Sequence, residues 1–184
     1  MERLNSQIRR DAFGKTINRD NSPVLVFGIP WLTIVLGSLT PMLPVIAPAP
    51  VLPPLGLLFL IGWRLLRPGL LPLWAGFPIG LFDDLFSGQP FGSGILLFSL
   101  ILIALDLLEL RFPWRNFWQN WLTTAVFLAA YLSVAALFSG AQLTFVQLGV
   151  ILPQLLLSIV AFPIVASLVA LLDRLRLLRV RRIG

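Results

Sequence analysis

Residues 64–115 read RLLRPGLLPLWAGFPIGLFDDLFSGQPFGSGILLFSLILIALDLLELRFPWR, and their basic residues stand only at the two ends: Arg64 and Arg67, then Arg111 and Arg115. Between them, Pro68–Leu110 is strongly apolar and holds no Lys or Arg. A bilayer crossing needs about 20 apolar helical residues, so this stretch is long enough to cross and return. Lys and Arg beside membrane segments are retained on the cytoplasmic side. The stretch therefore predicts a membrane hairpin with both feet inside. Its turn is Ser87-Gly88-Gln89-Pro90-Phe91-Gly92-Ser93-Gly94, a loop by composition.

The pattern repeats outward. All 14 basic residues of the 184-residue chain fall in four clusters, the other two being Arg3 to Arg19 and Arg174 to Arg182. Asp20–Trp63 and Asn116–Asp173 are again apolar and contain no base. Three hairpins follow: an all-α membrane protein with six transmembrane helices and both termini cytoplasmic. The expected organisation is a cytoplasmic tail over 1–22, a six-helix membrane domain over 23–173 and a basic cytoplasmic tail over 174–184.

Composition agrees. Hydrophobic residues make up 58% and charged residues 12%, where a soluble domain carries about 25% charged residues. The net charge of +6 sits beside the spans. Topology and anionic lipid headgroups at the basic tails account for it better than nucleic acid does. There are no cysteines and no histidines, which removes disulfides, thiolate chemistry and the commonest general base.

Six spans are expected, with proline marking the irregular ones. Span one covers about Val24–Ile46 and is expected to be retained, although Ala47-Pro48-Ala49 loosely imitates a cleavage site. Pro48, Pro50, Pro53 and Pro54 crowd the first outer turn. Span two begins at Val51 or Leu55 and ends at Trp63-Arg64, which leaves only about 10 to 15 helical residues, short of a full crossing. Short or proline-broken spans mark sites in transporters; a proline-rich loop with a snorkelling Arg64 is the plainer reading. Span three covers about Gly69–Phe86, with a kink expected at Pro78. Spans four, five and six cover about Ile95–Leu110, Trp121–Phe138 and Phe145–Leu172. Trp114, Trp118 and Trp121 suit an interfacial belt. A helix around Leu4–Phe13 and an amphipathic C-terminal anchor are the expectations for the tails.

The acids are few enough to place one by one. Asp83 and Asp84 are the only outer acids under this topology, and no basic residue shares that side. Adjacent helical positions point about 100° apart, so one is expected to face the interior and the other the headgroups. The readings are a docking, ligand or proton site, or an acidic helix end. Asp106 and Glu109 share a helix face at the inner border. Arg111, Arg64 or Arg67 can neutralise them there, or they contact a partner. Gly76 and Gly80 have the spacing of close helix approach, within the bundle or against a partner helix. No catalytic triad, zinc-helix motif, metal-ligand spacing or P-loop occurs, so neither an enzyme nor a cofactor is expected.

The stretch Gly76–Gly94 resembles the signature region of the MreD family, small multispanning proteins of the bacterial rod-shape machinery. The matching positions are Gly80, Leu81, Asp84, Leu85, Gly88, Pro90, Phe91 and Gly92. Chain size, span pattern and the weak second span extend the likeness; the longer polar N-terminal tail departs from it. The resemblance implies a non-enzymatic, multi-pass scaffold of the inner membrane. It implies binding to MreC and links to MreB, RodA and its penicillin-binding transpeptidase in cell-wall elongation. The family's bundle is also similar to the substrate-binding subunits of vitamin transporters, which leaves a solute-binding transporter subunit as the alternative. Gly76, Gly80, Asp83, Asp84, Gly88, Pro90 and Gly92 form the candidate partner-binding or structural motif, and Asp106 and Glu109 the inner-border charges.

Overall fold

The computed structural model describes residues 18–21, 23–43, 52–112, 116–140, 145–176 and 179–182. The expectations for Leu4–Phe13, Ala47–Ala49 and Trp114 lie outside these residues. Six α-helices are present among the described residues: α1 (Pro23–Ser38), α2 (Leu55–Leu66), α3 (Gly76–Phe86), α4 (Ser93–Arg111), α5 (Phe117–Phe138) and α6 (Phe145–Arg176). A two-stranded antiparallel ribbon pairs β1 (Asn18–Asn21) with β2 (Arg179–Arg182). This ladder replaces the expected C-terminal amphipathic anchor and sets the described tail segments side by side.

Among the described residues, four apolar stretches are long enough to cross a membrane: Leu25–Met42, Ser93–Arg111, Phe117–Phe138 and Gly149–Arg176. Their packing is inside-out relative to a soluble bundle. Leu96, Leu100, Ile103 and Leu107 on α4 are exposed at helical spacing, as are Leu152, Leu156, Val160 and Ile164 on α6. In water such stripes would be a large liability; against lipid tails they need no cover.

α2 and α3 are short. With 12 and 11 residues they extend about 18 Å and 16 Å, well under the hydrocarbon thickness. The brevity of α2 was legible from its prolines; that of α3 was not. Pro68, Gly69 (φ +78°) and Pro72 hold residues 67–72 out of a helix, and only a 3-10 turn, Leu73–Ala75, leads into α3. Pro78 consequently falls in the first turn of α3, where no intrahelical N–H is missed, instead of kinking a longer span.

α2 is the centre of the fold. Leu57, Leu58, Leu60, Ile61 and Trp63 are fully buried, so most of this short helix is covered by longer ones. Two close crossings frame it. A Cβ on Gly37 would lie 2.8 Å from the Gly56 amide nitrogen, and one on Gly76 would lie 2.7 Å from the Ser99 Cα. Gly76 and Gly80 thus serve packing within the bundle, α3 against α4.

The prolines inside the long helices free carbonyls, and side chains claim two of them. Pro163 cannot donate to the Ile159 carbonyl; the Trp121 indole N–H does so at 2.9 Å. Pro30 likewise leaves the Val26 carbonyl, which accepts from Arg176 Nη1 at 3.2 Å. In a medium without water, such replacement is what lets a proline stay in a spanning helix.

Candidate functional site at the acidic end

The two ends of the bundle carry opposite chemistry. At one end α2, α4 and α6 finish together and bring in nearly every described charge. Arg64, almost fully buried, pairs with Asp106 and lies 3.3 Å from Glu109. Of the three arginines considered for these acids, Arg64 is the partner. Asp173 accepts from Arg67 at 2.7 Å and from Arg176 at 2.6 Å, and the Arg176 guanidinium lies 5.7 Å from the Trp63 ring centre. Sequence reasoning missed this second cluster. Its signal was the lone acid three residues before Arg176, the spacing of a helical pair.

At the other end α3 passes into α4 through a loop that needs left-handed backbone. Gly88 has φ +68° and Gly92 φ +96°, conformations that side chains with a Cβ resist. Pro90 rigidifies the turn between them, and its carbonyl accepts from the Ser93 hydroxyl at 2.7 Å and the Ser93 N–H at 3.0 Å. The loop thereby aims the first amides of α4 back at α3.

Asp84 receives them. Its carboxylate accepts from the N–H of Gly92 at 2.9 Å, Gly94 at 2.6 Å and Ile95 at 3.2 Å. These are amides that a helix start leaves without intrahelical partners. A carboxylate there also meets the positive end of the helix dipole. The expectation that both outer acids lack internal partners is corrected here. The partners of Asp84 are backbone N–H groups, which carry no mark in a charge pattern. Gly94, absent from the candidate set, is part of the latch: a Cβ there would stand 2.7 Å from Asp84 Oδ1. Gly80 permits the same approach, since its Cβ would meet the Gly94 carbonyl oxygen at 2.5 Å.

Asp83 is equally buried, at 7% exposure against 6% for Asp84. The expectation that one of the pair would turn to the headgroups is also corrected. α3 packs against α4 on one side and α1 on another, so two of its faces are internal. Asp83 points away from the α4 latch into a cavity of about 600 Å³. The ends of α1, α3 and α5, the starts of α2 and α6, and the proline-rich segment before α2 enclose it. No hydrogen bond of normal geometry reaches the Asp83 carboxylate among the described residues. The buried Ser38 hydroxyl is the polar group beside it.

The rest of the lining is mostly satisfied. Gln89 donates to the Tyr131 hydroxyl at 3.5 Å, and Gln154 donates to the Leu52 carbonyl at 2.8 Å. Leu132, Ala135 and Ile151 supply apolar wall. No group of three His, Cys, Asp or Glu side chains with metal-site geometry occurs among the described residues.

No curated protein and no solved structure matches this chain. A family model does, described as rod shape-determining protein MreD, over residues 21–176. That match takes in all six helices, the Asp84 latch and the charge clusters at the opposite end. The chain belongs to the MreD family, whose members are membrane proteins that determine rod shape.

Proposed function

We propose that this chain is a non-enzymatic scaffold of the elongation machinery in the bacterial cytoplasmic membrane, and that it binds MreC. The chain crosses six times with both tails inside. The side-by-side placement of β1 and β2 supports this, because it requires an even number of crossings. α2 and α3 serve as crossings too short to span alone, in a bilayer locally thinned around them. The basic tails meet anionic lipid. MreB, RodA and its transpeptidase are reached directly or through MreC, and the outcome is organised peptidoglycan synthesis.

The observation that carries this reading is the latched corner between α3 and α4. A loop held by three amide bonds to one buried carboxylate presents a fixed surface at the acidic end. Phe91 on that loop is 71% exposed and Leu85 on the last turn of α3 is 64% exposed. An exposed aromatic beside a rigid backbone is a typical anchor for a partner. Packing within the bundle uses Gly76 and Gly80, so the partner surface is this corner and not the glycine face.

Co-purification with MreC from mild detergent tests the reading. Phe91→Ala leaves every latch bond in place and should lower complex yield several-fold at equal expression. Asp84→Ala should lower it as well, by loosening the corner. Unchanged yield and unchanged cell shape with Phe91→Ala would remove the corner from the interface. The second reading, a solute-binding subunit of a transporter, draws on the cavity beside Asp83. It calls for a solute that stays with the protein through gentle purification, detectable by mass spectrometry.

A further inference from the structure

We propose that the cavity beside Asp83 is a binding site for a small organic ammonium compound with an apolar body, its N–H groups donating to the Asp83 carboxylate. The proposal concerns binding and not transport, and it uses the cavity-facing side of the loop corner, Ser87 to Gln89, and not the exposed Phe91.

Four observations carry it. First, Asp83 is 7% exposed and lines the cavity with only the neutral Ser38 hydroxyl beside it and no basic partner among the described residues. Buried polar groups normally have partners and buried charges are normally paired. Its neighbour Asp84 shows what satisfaction looks like in the same helix turn, with three amides on one carboxylate. Second, the sign of the missing partner is set. The apolar stretches that enclose this end, Asp20–Trp63, Pro68–Leu110 and Asn116–Asp173, contain no Lys or Arg, and the chain has no His. A carboxylate with no base nearby calls for a donor of positive charge, and a charge-assisted bond is the strongest such contact.

Third, the cavity is too large and too apolar for a metal ion. A metal would need several oxygen ligands close together, whereas Asp83 is the only carboxylate among the lining residues. About 600 Å³ is the volume of a typical small-molecule pocket. Fourth, the remaining polar groups are placed to read orientation. The Ser38 hydroxyl stands beside Asp83, and the Tyr131 hydroxyl, held only by a long bond from Gln89, keeps capacity for another. Leu132, Ala135 and Ile151 would take the apolar body.

The experiment uses the full chain in detergent micelles. Thermal unfolding is followed while 2-phenylethylamine and n-hexylamine, both ammonium ions at neutral pH, are titrated in. Their neutral isosteres 2-phenylethanol and 1-hexanol are run alongside. The expected result is a rise in Tm of about 3–5 °C at ten times Kd for at least one amine. No rise is expected with its alcohol, nor with either amine on Asp83→Asn. In a second arm, a hydrophobic carbodiimide is added and the modified carboxylate located by mass spectrometry. Asp83 should be labelled, Asp84 should not, and the amine should protect Asp83, leaving it free both of the carbodiimide adduct and of the amide that activated carboxylate would form with the amine. Should Asp83→Asn fail to fold, this arm decides on the unmodified protein. Equal shifts from amine and alcohol, no shift from either amine, or labelling that the amines do not reduce would each overturn the proposal. Protection by co-purified MreC but by no amine would also overturn it and assign the cavity to a partner's side chain.

Discussion

The two ends of this bundle bury charge in opposite ways. At the basic end, acids meet arginines: Arg64 with Asp106 and Glu109, and Asp173 with Arg67 and Arg176. At the acidic end no arginine or lysine stands among the described residues, and one buried carboxylate meets backbone amides while its neighbour meets a cavity. Side-chain pairs are long and adaptable, so they tie together helices far apart in sequence. An amide cage is short and fixed in direction, so it defines the angle between two helices that follow each other. The first arrangement holds the bundle's periphery to α2; the second holds one corner rigid.

If that contrast is right, breaking the basic end costs most. Asp173→Ala leaves Arg176, 5% exposed, without its carboxylate, and should destabilise the protein by about 3 kcal/mol. That is the low end for a stranded buried charge, because Arg67 is half exposed and returns to solvent. Thermal unfolding in detergent measures it. A loss below about 1 kcal/mol would mean the pairing contributes little. Gly80→Val attacks the acidic end through shape. Its side chain would enter the Gly94 carbonyl and should cost about 2–3 kcal/mol by overpacking, with the α3–α4 corner protected more weakly in hydrogen exchange.

A smaller effect is expected from the latch itself. Asp84→Ala removes an acceptor from the α4 start and should cost about 1–2 kcal/mol, with Asp84→Asn between that variant and the native protein. Trp121→Phe should cost about 1–2 kcal/mol, because the Ile159 carbonyl freed by Pro163 is left without a donor. The smallest loss belongs to Asp83→Asn, which removes a buried carboxylate that has no basic partner and should leave the ligand-free protein as stable as the native one or more stable. The comparison of Asp83→Asn with Asp84→Asn sharpens the contrast within one helix turn. Equal losses would mean the two neighbours play one role and would undo the distinction drawn between them.

Much of this was legible in advance. The apolar stretches and their basic borders contained the four helices long enough to cross a membrane, and the prolines around residues 48–54 marked α2 as short. The G-x-x-x-G spacing at Gly76 and Gly80 pointed to a close crossing, which α4 provides. Other features were not legible, for physical reasons. Asp83 and Asp84 look equivalent as letters, yet α3 lies between two neighbours and gives each acid a different one. Arg176 reads as part of a basic tail, yet it reaches 150 residues back to the Val26 carbonyl.

Membrane placement is thus a property of the sequence itself. Transfer into lipid sums over about 20 consecutive residues, and retention of Lys and Arg acts on the borders of those segments. Both are local, so composition and spacing determine them. Which groups satisfy which buried charges is decided only in three dimensions. The partners of Asp84 are amides with no side chain to announce them, and those of Asp173 come from two helices separated by most of the chain. The cavity beside Asp83 belongs to the same class, since six segments must assemble before it exists.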